Sequence, residues 1–166
     1  MKMIIHDLTP EDVADWTEGD RSGITLISDN GTIRGCTGCF GCWTRTPGIC
    51  VIKDDYQHLG ELLARTDELQ IVSRMMYGSY SPFIVNVLNR SISYMLPYFV
   101  TKHGETHHRR RYPNKISLAV HFYGEATDAE QQTAQALVAA NALNLDSSGN
   151  TVSFYPDLQA VKEALA

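Results

Sequence analysis

The sequence predicts an α/β fold: a parallel sheet with helices on both faces. Three observations point there. Five short runs are rich in β-branched and apolar residues: KMIIH from Lys2, ITLIS from Ile24, ELQIVSR from Glu68, KISLAVHFY from Lys115 and a last run from Asn150 to Tyr155. Helical segments separate these runs, and alternation of that kind builds a parallel sheet through right-handed crossovers. No repeat, low-complexity tract or linker divides the 166 residues, so residues 1–166 read as a single domain. The expected arrangement is a doubly wound five-stranded sheet in the order 2-1-3-4-5, in three α/β/α layers.

Composition narrows the function classes. Hydrophobic residues at 43% and charged residues at 20% describe a soluble globular chain. The net charge of −5 gives no general attraction to nucleic acid or anionic membrane. No apolar run reaches the length of a membrane span. The opening MKMIIHDLTPEDV has too short an apolar run for a signal peptide, so the reading is cytoplasmic and reducing.

Each element has a local rationale. After strand one, Thr9 caps a helix from Pro10 to about Glu18, with Gly19 as its stop and Gly19 to Gly23 as a polar loop. Asp29-Asn30-Gly31 is a turn signal after strand two. Asp54 and Asp55 open a helix to about Arg65, striped by Leu59, Leu62 and Leu63. Met75 to Ser81 is a loop after strand three. Ser81 caps the next helix, with Pro82 at its first position, and Phe83, Val87, Ile92 and Leu96 run down it to Pro97. Tyr98 to Asn114 reads as irregular and polar. Gly124 breaks strand four, and Thr127 with Glu130 forms a capping box for an alanine-rich helix. Pro156 to Ala166 is the last helix.

Chemistry concentrates in one stretch. Cys36, Cys39, Cys42 and Cys50 are all the cysteines of the chain, spaced C-x2-C-x2-C-x7-C. Clustered thiols in a reducing setting indicate metal or redox chemistry more than a disulfide framework. One reading is four thiolates around a 4Fe-4S cluster; the other is a loop of reduced or paired thiols beside a different cofactor. The cysteine loop, Met75 to Ser81 and Tyr123 to Thr127 all follow strands, which is where open parallel sheets bind ligands. Tyr77 and Tyr80 are candidates to stack on a ring or to fill a subunit contact. Trp43 reads as a packing anchor, His121 as structural, and Asp54 and Asp55 as helix-start charges. Asn89 and Arg90 fit either polar contacts near the ligand loop or a helix surface. No Ser-His-acid pattern is present, so no catalytic side chain is assigned.

Three stretches carry a resemblance: C-T-G-C-F-G-C-W-T-R-T-P-G-I-C-V-I-K-D-D (Cys36–Asp55), Y-G-S-Y-S-P-F (Tyr77–Phe83) and V-L-N-R-S (Val87–Ser91). From about Gly35 to Tyr123 the chain resembles the flavodoxin-like flavoproteins, in particular the NADPH-dependent FMN reductase and iron-sulfur flavoprotein group. The resemblance implies a flavodoxin-like sheet, bound FMN and electron transfer from NAD(P)H or another donor. It places Met76, Tyr77, Gly78, Ser79 and Tyr80 near the flavin ring and Tyr123 and Gly124 on a second loop beside it; because all three loops leave the same end of a parallel sheet, the cysteine loop is expected close to one edge of the ring.

The chain departs from that pattern at the phosphate loop. The group carries a Ser/Thr-rich loop between strand one and the first helix, where backbone amides hold the phosphate. Here the same region is His6-Asp7-Leu8-Thr9-Pro10-Glu11-Asp12, with one hydroxyl, no glycine and three carboxylates. Two functions follow as alternatives. One is an FMN-dependent, NAD(P)H-using oxidoreductase, with or without an iron-sulfur cluster. The other is a non-catalytic binding or assembly module that has lost the phosphate loop. The run His107 to Arg111 reads as a solvated loop or as a source of phosphate contacts. Tyr94, Met95, Leu96, Tyr98 and Phe99 lie close together and predict a homodimer or larger oligomer.

Overall fold

The computed structural model describes residues 1–14 and 23–165. In chain order its elements are β1 (Lys2–His6), α1 (Pro10–Ala14), β2 (Ile24–Ile27), α2 (Gly41–Thr44), α3 (Leu59–Ala64), β3 (Glu68–Arg74), α4 (Pro82–Arg90), β4 (Met95–Lys102), β5 (Glu105–Arg110), β6 (Ser117–Tyr123), α5 (Asp128–Asn144), β7 (Gly149–Tyr155) and α6 (Leu158–Leu165). A 3-10 turn, Ser91–Tyr94, joins α4 to β4. Five strands form one sheet in the order β2-β1-β3-β6-β7, and every pair is parallel. Counted along the sheet strands alone, this is the expected 2-1-3-4-5 order. The reversal lies at β1, with β2 on one side and β3 on the other.

Strand alternation sorts the core into two faces. Met3 and Ile5 of β1, Leu69 and Ile71 of β3, and Leu118, Val120 and Phe122 of β6 pack against Leu59 and Leu63 of α3, Ile84 and Val87 of α4, and Ala134 and Val138 of α5. The opposite face holds a smaller cluster of Leu8, Val72 and Val161, with Val13 and Leu158 at its edge. The capping box forms as expected: Thr127 Oγ1 accepts the Glu130 N–H, and the Glu130 carboxylate accepts the Thr127 N–H at 2.8 Å. Among the described residues, no helix is long and apolar enough to cross a membrane.

Several elements differ from expectation. The helix after Ser81 stops at Arg90 rather than Pro97. Ser91 Oγ turns back to the Val87 carbonyl at 2.7 Å, a competing bond that favours ending a helix, and Pro97 pushes its predecessor toward extended backbone. Tyr98 to Asn114 is not an irregular loop: β4 and β5 pair antiparallel there. Their turn is His103-Gly104, both at positive φ, as a two-residue hairpin requires. Asp54 to His58 are turns, and the helix begins only at Leu59. Ser81 sits at the cap position of α4, but its hydroxyl makes no bond; instead its N–H donates to Ser73 Oγ at 2.9 Å. The expected helix end at Glu18, its Gly19 stop and most of the Gly19 to Gly23 loop lie outside the described residues.

Candidate functional site

Where strand order reverses, a doubly wound sheet opens a crevice at the carboxyl ends of its strands. Here that edge is built by Asp7 after β1, by Met75 to Ser81 after β3, and by Tyr123 and Gly124 at the end of β6. Met75 N–H donates to the Tyr123 carbonyl at 2.8 Å, so the two loops expected beside a flavin start side by side. Met76 and Ser79 exchange both backbone hydrogen bonds, at 3.0 and 2.9 Å. Between them Tyr77 (φ 53°) and Gly78 (φ 76°) form a tight turn with two left-handed residues. A side chain at 78 would press on the Glu130 carbonyl at 3.0 Å, so glycine lets the turn sit on α5.

This turn holds Tyr77 out into solvent, 89% exposed. The left-handed backbone there costs a non-glycine residue about 1–2 kcal/mol, which the closed turn offsets. Tyr80 behaves differently from the expected stacking surface. It is 3% exposed, packs on Phe122 with ring centroids 5.2 Å apart, and accepts a hydrogen bond from Asn141 Nδ2 at 3.2 Å. Burial pushes its phenol up to about 12. Tyr80 belongs to the core, and Tyr77 alone of the two presents a free ring face. Gly124 has φ 101° and donates its N–H to the Tyr155 carbonyl.

Carboxylates gather where β1 passes into α1: Asp7 in the loop, Glu11 and Asp12 in the first helical turn. Asp7 Oδ2 accepts the Arg74 N–H at 2.9 Å, and Oδ1 accepts the Tyr123 hydroxyl at 3.1 Å. Burial and the Asp7 charge together push the Tyr123 phenol well above its ordinary value. Thr9 donates its hydroxyl to Asp12 at 2.9 Å and accepts the Asp12 N–H. Pro10 has no N–H to offer. Of the backbone N–H groups here, that of Asp7 goes to the Val72 carbonyl and that of Asp12 to Thr9, and with three carboxylates around them the phosphate dianion of FMN meets like charge at this place.

The cysteines occupy a different place. All four line a cleft of about 560 Å³ with Phe40, Trp43, Met95, His108 and the last residues of α4 and α5. Helices α4 and α5 run antiparallel to the strands, so their ends lie away from the Tyr77 turn. Nine residues of α4, a span of about 13 Å, separate the two places. The expectation that the cysteine loop edges the same site is therefore corrected: the loop descends along α4 instead of staying at the carboxyl ends.

Within the cleft the thiols are unequal. Cys39 is exposed; hydrogen bonds from the Gly41 N–H and the Thr37 hydroxyl, helped by the Arg45 charge, lower its pKa. Cys42 is buried, and burial together with the Cys50 and Cys36 thiols pushes its pKa up. Trp43 is the packing anchor expected of it. Its indole N–H donates to the Met95 carbonyl at 2.9 Å, and its ring stacks on Phe40 and tilts against His108. Among the described residues, no group of three or more His, Cys, Asp or Glu side chains is placed to hold a metal ion.

One residue holds the cysteine loop in position. Arg90, at the end of α4, has a fully buried side chain. It donates to both oxygens of Asp54 at 2.8 Å, to the Arg34 carbonyl at 2.8 Å and to the Ile52 carbonyl at 3.3 Å. Those carbonyls lie on either side of the cysteines. Arg90 is thus neither a helix-surface residue nor a contact of the Tyr77 turn, and Asp54 is its buried partner rather than a helix-start charge. The run from His107 is likewise not a solvated loop. His107 bonds Asn144, His108 bonds the Leu96 carbonyl, Arg110 lies 3.6 Å from Asp146, and Arg111 reaches the Ser93 and Met95 carbonyls.

No protein-family model matches the chain, and no curated protein matches it in sequence. Solved structures do match its fold. One is an NAD(P)H:quinone oxidoreductase from Methanothermobacter marburgensis, with TM-score 0.60 and 15% identity, covering 99% of this chain and 93% of that one. A second is an FMN-dependent NADH-azoreductase from Bacillus anthracis in complex with FMN, with TM-score 0.57 and 9% identity over 99% and 95%. A third is general stress protein 14 from Treponema denticola in complex with FMN, with TM-score 0.54 and 13% identity over 99% and 90%. The strand order and these likenesses together establish a flavodoxin-like fold for this chain.

Proposed function

We propose that the protein is a flavin-dependent oxidoreductase that takes electrons from NAD(P)H at the carboxyl ends of β1 and β3. One observation carries this reading. The strand order reverses beside a turn that leaves an aromatic ring, Tyr77, exposed at the carboxyl end of the sheet. Neighbours in fold that are described as nicotinamide-dependent reductases or as FMN complexes support it. A bound flavin would supply hydride acceptance and onward electron transfer. The chain's own part is to bind and orient: Tyr77 offers a face for the isoalloxazine, and the Met75–Tyr123 bond fixes the second loop beside it. No side chain has to act as acid or base.

Iron-sulfur chemistry at Cys36, Cys39, Cys42 and Cys50 forms no part of this proposal, because the thiols would have to rearrange to become a ligand set. A flavin titration followed by fluorescence tests the reading, with loss of the blue absorbance band on adding NADH or NADPH. Saturable binding is expected, and Tyr77→Ala should weaken it about fivefold, the loss of one stacking contact. A folded protein that binds no flavin would instead be a binding module, the alternative that the Asp7 contacts favour.

We also propose a homodimer formed through the β4–β5 hairpin. Tyr94 and Met95 are buried in the core, which leaves Tyr98 and Phe99 as the exposed aromatic pair on the hairpin. Aromatic residues of this kind are enriched where subunits meet. Light scattering at micromolar concentration should give twice the monomer mass; a monomer would remove the proposal.

A further inference from the structure

We infer that the crevice beside Tyr77 takes flavin without its phosphate, that is, an isoalloxazine with a neutral polyol tail as in riboflavin. The inference rests on the flavin reading above and names its ligand class. In this fold the first strand-to-helix loop receives the phosphate on backbone N–H groups at the start of a helix. In this chain that loop carries Asp7, and the first turn of α1 carries Glu11 and Asp12. Asp7 is the decisive residue. It is half-buried at the end of β1, and both of its oxygens are in use. One accepts the Arg74 N–H and the other the Tyr123 hydroxyl. A carboxylate thus stands fixed at the end of β1, where an approaching phosphate would meet it.

The surrounding charges strengthen the exclusion. Asp12 is held by the Thr9 hydroxyl and by Lys162 at 3.4 Å, so the ammonium on α6 is already engaged. Arg74 and Lys162 are two cations set against three carboxylates. A phosphate dianion approaching Asp7 meets like charge in a partly desolvated place, where screening is weak. A hydroxyl-bearing tail carries no such penalty and can donate to the same carboxylate. The recognition element is therefore the ring, through Tyr77, and the discriminating element is Asp7.

The experiment uses the full chain and two ligands, riboflavin and FMN, titrated by flavin fluorescence at low ionic strength. Riboflavin is expected to bind at least about tenfold more tightly than FMN, a difference of about 1.4 kcal/mol, and added salt should narrow the gap. FMN binding as tightly as riboflavin, or more tightly, overturns the inference and leaves the flavin reading standing. Binding of neither overturns the flavin reading itself. Asp7→Asn, nearly isosteric, should bring the two affinities toward parity by improving FMN. An unchanged ratio in folded Asp7→Asn protein would take the discriminating role away from Asp7. The wild-type comparison decides the ligand class even if that variant does not fold.

Discussion

Replacing Arg90 with methionine is expected to destabilise the protein by about 3–5 kcal/mol. The reason lies in what is left behind. Arg90 is fully buried and bidentate to Asp54, whose side chain is only 5% exposed. Methionine fills much of the space but strands a buried carboxylate and two carbonyls, and removing one member of a buried pair costs this much. Urea unfolding with an unchanged slope measures it. Arg90→Met combined with Asp54→Leu should recover a large part of the loss, because no buried charge then lacks a partner. The hydrogen bond from Arg90 holds the Asp54 carboxyl below its ordinary value. The pair's contribution is therefore present above the ordinary aspartate range and is lost as pH falls through the lowered value. Wild type and Arg90→Met should converge in acid; a gap that stayed constant with pH would contradict this account.

Asp146→Asn should cost roughly 2 kcal/mol at neutral pH. Asp146 accepts Lys102 of β4 at 2.7 Å and Lys115, just ahead of β6, at 2.8 Å. Its pKa is lowered to about 2, first by the hydrogen bond from Lys102 and then by that from Lys115. A depressed carboxyl contributes stability above its unfolded value, near 3.9, and loses it progressively toward about 2. Asparagine isolates the charge, because Asp146 has φ 54° and asparagine tolerates that left-handed backbone. Denaturant midpoints measured from neutral pH down to about 2 should show the two proteins converging. A deficit that persisted at the acid end would point to lost packing instead of lost charge.

Much of the sheet was legible because its signals are local. The β-branched runs at Ile24, Glu68 and Lys115 mark strands by their own composition, and Thr127-x-x-Glu130 marks a helix start within four residues. The β4–β5 hairpin was missed for a local reason as well. Tyr98 to Thr101 is a plain strand sequence, but its turn is His103-Gly104, and histidine is a less familiar turn residue than asparagine or aspartate. The signal was present in the aromatic and β-branched run on one side of that glycine. Other features have no local signature. Arg90 and Asp54 are 36 residues apart and meet only because the cysteine loop descends along α4. Tyr80 and Tyr77 look equivalent in MMYGSYS; only the turn at Gly78 decides that one faces solvent and the other the core. The candidate site was thus half legible: the loops that meet at the crevice were foreseen, and the position of the thiols was not.

The Arg90 clamp has a consequence for how the cysteine loop moves. By gripping Arg34 before the thiols and Ile52 and Asp54 after them, it turns a long excursion into a closed ring fastened at one guanidinium. A ring of this kind cannot fray from one end. Its internal bonds, such as Gly48 N–H to the Cys42 carbonyl and Ile49 N–H to the Thr46 carbonyl, are expected to be released together. Amide protons of the whole segment should then exchange as one cooperative unit, with a protection set by the grip of a single side chain. Cys42, the buried thiol, would then reach solvent beside the already exposed Cys36 and Cys39 whenever that grip opens.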